Sequence, residues 1–308
     1  MVLSASDREG ATLGSGCPVL EGGLNLAQNL DRLAGRIFGA PHYERQVTRE
    51  LARYSGSPIF VWQMGKVGST SIEEAVMRTT RDAPFFRAHL LNPDLLRRGE
   101  MYRRARARGT REYLRSDALR RALLAADEGW KIVTVVREPM ARNLSAFFQN
   151  LDVYLGYDSR KTIESLDATR VVPFLRDAFV DGFDHDRPAE WFDYEIRDLL
   201  GLDVLELPFE PAAGTATYRS GFHELLVIRM ESLAPAGERA LIDFLRNPEI
   251  KLGRGNDADM KWYSRYYRAV RAEAHLPLAL VDRVYGSRYA RTFYSSEELE
   301  RYRSEWLG

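Results

Sequence analysis

The chain has 308 residues, 45% of them hydrophobic and 29% charged, and its 44 basic residues are balanced by 44 acidic ones. A chain of this size buries a sizeable core, and its neutral balance excludes a nucleic-acid binder driven by global basicity, so any anion affinity must be local. The one cysteine, Cys17, excludes an intramolecular disulfide and a Cys-rich metal site and fits a cytoplasmic location. No apolar run reaches the roughly 18 residues of a membrane span, and no basic stretch followed by an apolar one marks a secretory signal at the N-terminus.

Residues 1–23, rich in Gly and Ser, predict a flexible extension, and 24–308 a single domain. The spacing of Leu24, Leu26, Leu30, Leu33 and Ile37 suits helices packed on a core, to about Tyr54. Pro58 to Gln63 is an apolar strand. It stops at Gly65-Lys66-Val67-Gly68-Ser69-Thr70-Ser71, which leads at once into a helix-compatible segment. This is the layout of a strand, a phosphate-cradling loop and a helix N-terminus. In the ATPase motif Lys directly precedes the Ser/Thr, whereas Lys66 stands two residues before Gly68-Ser69-Thr70. Gly65 and Gly68 would allow the tight turn, the N–H groups of Val67 to Ser71 would hold an oxyanion, and Ser69, Thr70 and Ser71 would add hydroxyls. The alternative is an incidental turn capping a helix through Ser69 or Thr70.

Phe85 to Leu91 predicts a second strand, ended by Asn92-Pro93. Residues 94–128 predict helix, with ten arginines in 97–121 that either attract an anionic acceptor or pair with acids, for which 184–206 is a candidate. Lys131 to Val136 is a β-branched run of the kind found in parallel strands buried on both faces. It runs into Arg137-Glu138-Pro139 and a helix to about Asn150. Arg137 at a strand end and Ser145 two turns along that helix could converge on one phosphate. Val204 to Leu207 and Leu225 to Met230 predict further strands. Helices are expected near 161–180, 188–200, 235–246, 259–275 and 278–306, with an irregular loop at 247–259. Strands alternating with helices predict an α/β fold, three layers around a central parallel sheet, with helical additions at both ends.

The two phosphate motifs together resemble those of PAPS-dependent sulfotransferases, a P-loop family. By that resemblance Gly65 to Ser71, including Lys66, would bind the 5′-phosphosulfate side of PAPS, and Arg137 and Ser145 the 3′-phosphate. The segment Glu190 to Ile196 resembles a Trp-Phe-Asp segment of bacterial relatives, and Leu226 to Leu233 resembles the strand these enzymes place next. Lys261-Trp262-Tyr263-Ser264 resembles the hallmark of a bacterial branch of capsular polysaccharide synthesis proteins, although Met260 stands where that branch has Asn, with Asn256 further upstream. The resemblance implies sulfuryl transfer from PAPS to a hydroxyl of a carbohydrate or small metabolite, with PAP as product and no metal. Lys66 would stabilise the leaving group, and Lys261 and Arg265 would close over the donor. His89, at the predicted end of the second strand, would be the base; a structural histidine is the alternative. Trp262, Tyr263, Tyr266 and Tyr267 are expected to pack in the core rather than form an adenine platform, with Trp262 suited to either. No nucleic acid is expected as a partner. The rival functions are a non-catalytic protein that keeps the fold for polysaccharide assembly, and a P-loop kinase, which would place a carboxylate where Arg137 stands.

Overall fold

A computed structural model describes residues 39–98, 111–156, 158–253, 261–273 and 275–308. The predicted extension at 1–23, Cys17, the start of the first helical region and residues 99–110 of the Arg-rich stretch lie outside these residues, as do Asn256 and Met260.

Five strands form one sheet: β1 (Ile59–Trp62), β2 (Phe85–Ala88), β3 (Lys131–Val136), β4 (Thr215–Ser220) and β5 (His223–Arg229). Their order is β2-β1-β3-β5-β4, parallel except for β4, which pairs antiparallel with β5. Helices flank the sheet in the expected three-layer α/β arrangement. β1 is buried along its whole length and β3 from Ile132 onward, because strands covered on both faces have no solvent side to fill with polar residues.

Chain direction along the sheet sets the position of the site. From β1 the chain crosses to β2 on one side and then to β3 on the other, so the connections diverge between the carboxyl ends of β1 and β3. Such a divergence leaves a crevice where ligands bind in open α/β sheets. The helix α1 (Ala40–Arg53) precedes β1, and α2 (Thr70–Thr79) follows it. After β2 come α3 (Pro93–Arg98) and α4 (Arg111–Leu124), and β3 leads into α5 (Pro139–Gln149). Met140, Leu144, Phe147 and Phe148 of α5 belong to a second apolar cluster with Leu175, Phe179, Val281, Tyr285 and Trp306. The polar face of α5 is thereby turned towards the sheet rim.

Four local expectations are corrected. The Val204 to Leu207 segment is a single 3-10 turn, Val204–Glu206, whose Val204 and Leu205 are buried; a run this short fills the core without a strand. The second strand ends at Ala88 rather than Leu91, because the N–H groups of Leu91 and Asn92 donate to the Glu195 carboxylate at 2.6 and 3.0 Å instead of to a neighbouring strand. The helix expected over 278–306 is three: α12 (Leu278–Tyr285), α13 (Arg288–Phe293) and α14 (Ser296–Leu307). Ser287 and Ser295 start the last two by accepting from Ala290 N–H and Glu298 N–H, which makes each serine a stop and a start. The region 161–180 is likewise split into α7 (Ser159–Glu164) and α8 (Ala168–Gly182); between α5 and α7 lies the short α6 (Leu151–Leu155).

The helix α9 spans 187–200, with Arg187–Trp191 and Asp198–Leu200 α-helical and Phe192–Arg197 a π-helical turn. After β5 come α10 (Glu238–Leu245) and α11 (Ser264–Glu273). Among the described residues, the acids of 184–206 pair with Arg187, Arg197, Arg283 and Arg288, whereas Arg121 of α4 pairs with Glu44 and Asp117. No described helix is long and apolar enough to cross a membrane.

Candidate anion-binding active site

The loop between β1 and α2 turns at two positions of left-handed backbone, Lys66 at φ 74° and Gly68 at φ 83°. Gly65 needs no such conformation, so the strained residue is a lysine rather than the expected glycine. A non-glycine residue held there costs energy and persists only where its surroundings over-determine it. Two arginines do so. Arg137 Nη1 donates to the Lys66 carbonyl at 3.1 Å, and Arg142 Nε donates to the Gly65 carbonyl at 3.1 Å. With those carbonyls turned towards the arginines, the main-chain N–H groups of Lys66 to Ser71 make no full main-chain hydrogen bond outside the helices and strands among the described residues. They open the N-terminus of α2, which favours negative charge.

The Ser69 and Ser71 hydroxyls are engaged within the protein. Ser69 Oγ donates to Glu73 at 3.0 Å, and Ser71 Oγ to the Gly68 carbonyl at 3.4 Å. Glu73, buried in the first turn of α2, also accepts from Gln63 at 3.3 Å and Arg87 at 2.8 Å. Thr70 opens the helix, and Val67 is buried beneath the loop. The donors left for an anion are therefore main-chain N–H groups, the Thr70 hydroxyl and the Lys66 ammonium.

Gly68 is the position where glycine is required. A Cβ there would lie 3.0 Å from Met230 Cγ and Sδ, in addition to the left-handed φ. Gly68→Ala is expected to lower stability by about 1–2 kcal/mol through backbone strain, read as a shift in the denaturant midpoint. An unchanged midpoint would contradict the loop geometry.

Lys66 meets a second lysine. Lys66 Nζ and Lys261 Nζ donate to the same atom, Gln149 Oε1, at 3.0 and 3.1 Å. Lys261 comes from the segment just before α11 and Gln149 from the last residue of α5. Burial, together with the charges of Lys261, Arg137 and Arg142, lowers the Lys66 pKa from 10.5 to about 8. An oxyanion between the lysines would reverse that effect by favouring the ammonium. Anion affinity at this loop is therefore expected to hold between pH 7 and about 8 and to fall as pH rises towards 10.5. Calorimetry in buffers of different ionisation enthalpy should detect proton uptake within the falling range; a pH-independent affinity without proton uptake would place the anion away from Lys66.

Arg142, Ser145 and Gln149 lie three and four residues apart, on one face of α5. Arg142 is buried, which lowers its guanidinium to about 10. Ser145 is half-buried between Arg142 and the Gln149 amide along this face. Arg137 is half-exposed at the carboxyl end of β3. Its backbone is held from behind by Tyr289, whose hydroxyl accepts from Arg137 N–H at 2.9 Å and donates to the Arg137 carbonyl at 2.8 Å.

His89 follows β2 on the same rim and is exposed. Its Nδ1 lies 3.0 Å from the Gln63 carbonyl. A carbonyl only accepts, so Nδ1 carries the hydrogen and Nε2 the lone pair of the neutral ring. That tautomer suits a general base. The backbone around His89 is tied to α9: Trp191 Nε1 donates to the His89 carbonyl at 2.7 Å, Asn92 Nδ2 to the Tyr194 carbonyl at 2.7 Å, and Trp62 Nε1 to Glu195 at 3.1 Å.

The geometry thus brings Lys66, Lys261 and the carbonyl-binding Arg137 to one loop, places Ser145 on the helix facing it, and leaves His89 on the neighbouring strand end. Gln149, Glu73, Glu195, Trp191 and Tyr289 went unpredicted as contributors. Gln149 carried a usable signal, its helical spacing from Arg142 and Ser145. Tyr263 and Tyr267 pack against Phe148 as expected, with ring centroids 5.7 and 5.5 Å apart. Trp262 keeps 38% of its surface exposed. Among the described residues no group of three His, Cys, Asp or Glu side chains is placed to hold a metal ion.

A strand–loop–helix turn at the divergence of a mostly parallel sheet has the layout in which α/β folds hold anions. Residues 164–295 match the model of the NKWYS family, described as "putative capsular polysaccharide synthesis protein". The matched stretch contains Trp191, Glu195, Lys261 and Tyr289, while Lys66, His89, Arg137 and Ser145 precede it. No curated protein and no solved structure matches the chain.

Proposed function

We propose that the protein is a sulfotransferase that uses PAPS to sulfate a hydroxyl of a carbohydrate. The observation that carries this reading is the convergence of Lys66 and Lys261 on one oxygen, beside a loop whose N–H groups make no full main-chain hydrogen bond outside the helices and strands among the described residues. The Gln149 carboxamide oxygen marks where an oxygen of the donor would lie. Arg137 supports a donor with a second phosphate, because a kinase of this layout needs a carboxylate at that strand end. The family match supports a carbohydrate acceptor.

PAPS supplies an activated sulfuryl group whose S–O bond to the 5′-phosphate breaks as the acceptor O–S bond forms. The chain's own residues do the rest by positioning and charge stabilisation. His89 Nε2 takes the acceptor hydroxyl proton. Lys66, the loop N–H groups and Lys261 stabilise the negative charge that grows on the 5′-phosphate of the leaving PAP. Arg137 and Ser145 hold its 3′-phosphate. A thermal-shift comparison tests the assignment: PAP should raise the melting temperature, and ATP–Mg²⁺ should raise it less. Stabilisation by ATP–Mg²⁺ but not by PAP would overturn it.

A further inference from the structure

The turn that carries Arg137 does not stand on its own strand alone. Three tyrosines from α12, α13 and the residue after α13 reach under it. Tyr289 bonds both the N–H and the carbonyl of Arg137, at 2.9 and 2.8 Å. Tyr285 donates to Glu138 at 2.6 Å. Glu231 accepts Glu138 N–H at 2.8 Å and the Tyr294 hydroxyl at 3.2 Å. Glu138 itself caps α5 by accepting from Met140 N–H and Ala141 N–H, each at 2.7 Å. All three tyrosines are buried.

Of these contacts only that of Tyr289 touches Arg137 on both sides of its Cα. A hydroxyl that accepts from a residue's N–H and donates to its carbonyl fixes both flanking peptides, and so the direction in which the side chain leaves the backbone. A guanidinium binds a phosphate through a planar fork and is intolerant of misdirection. We infer that Tyr289 is the positioning residue for Arg137, so that the C-terminal helices, about 150 residues away in sequence, set the preference for a nucleotide bearing a 3′-phosphate. This rests on the proposed role of Arg137 and adds a determinant to it. Tyr289 touches no ligand, and its effect passes through the Arg137 backbone.

The measurement is the ratio of affinities for PAP and AMP, which differ only in the 3′-phosphate. Calorimetry on the full chain should show wild type preferring PAP and Arg137→Ala losing that preference. Tyr289→Phe should reduce the ratio about tenfold by loosening a charge-assisted contact, with AMP affinity unchanged. Tyr294→Phe removes a buried hydroxyl that bonds Glu231 instead, and should leave the ratio at the wild-type value. A merely structural role for Tyr289 would lower both affinities together, or neither.

If wild type binds PAP and AMP alike, or Arg137→Ala keeps the preference, the parent assignment of Arg137 fails and the inference with it. If Arg137→Ala loses the preference while Tyr289→Phe keeps it, the inference alone is overturned. Should Tyr289→Phe not fold, amide exchange on the unmodified protein decides. PAP should slow exchange over 285–294 more than AMP does, and equal protection by the two would overturn the inference.

Discussion

Lys66→Ala is expected to lower sulfuryl transfer about a thousandfold, the scale of removing a donor aimed at developing charge in a water-excluded site. Two features make Lys66 the residue with most to lose. Its backbone is held at φ 74°, a conformation fixed by the Arg137 and Arg142 contacts to the loop carbonyls. Its ammonium already sits among other cations, which with burial lower its pKa to about 8. A side chain kept in such surroundings is poised for an anion, and its charge is worth most where negative charge grows on the leaving phosphate. Single-turnover release of PAP from PAPS reads the effect. The melting temperature should stay near the wild-type value, since the bond lost is the half-exposed one from the Lys66 ammonium to Gln149 while the Arg137 contact to the Lys66 carbonyl is kept. Turnover within tenfold of wild type would remove Lys66 from the chemistry.

Glu195→Ala is expected to be the most destabilising single change near the site, at about 3–5 kcal/mol. It would leave Leu91 N–H, Asn92 N–H and Trp62 Nε1–H buried without their acceptor, at a cost of about 1–3 kcal/mol for each orphaned donor and less than their sum after relaxation. The same residue gives a pH signature. Burial pushes its carboxyl up from 4.5 to about 8, against the pull of the three N–H donors. A raised acid favours the protonated folded form, so its contribution is full below pH 4.5 and declines as pH rises towards 8. The stability of wild type relative to Glu195→Gln should therefore fall across that interval in thermal melts. A flat or rising difference would show that the N–H donors outweigh burial.

Most of the sheet rim was legible because its signals are local. β1, β3 and β5 are continuous apolar runs, and the Gly-Lys-Val-Gly-Ser-Thr turn and Arg137-Glu138-Pro139 mark where β1 and β3 stop. β4 was not legible. Its Thr-Ala-Thr-Tyr-Arg-Ser sequence has no apolar face and its residues are at most half-buried, as suits an antiparallel edge strand whose partner is supplied by the chain turn at Gly221. The left-handed lysine was hidden for a different reason. Its conformation is imposed by Arg137 and Arg142, 71 and 77 residues away, and no local pattern records that. Trp191, Glu195 and Tyr289 likewise act through backbone atoms of distant residues. Lys261 and Gln149 meet 112 residues apart; only the helical spacing of Gln149 hinted at its side of that contact.

The most direct measurement of the central claim is a crystal structure with PAP bound. The 5′-phosphate should lie on the N–H groups of Val67 to Ser71, with Lys66 and Lys261 bonded to its oxygens and the Gln149 carboxamide displaced from between them. The 3′-phosphate should lie against Arg137 and Ser145. A structure in which PAP occupies another site, with both lysines still on Gln149 Oε1, would contradict it.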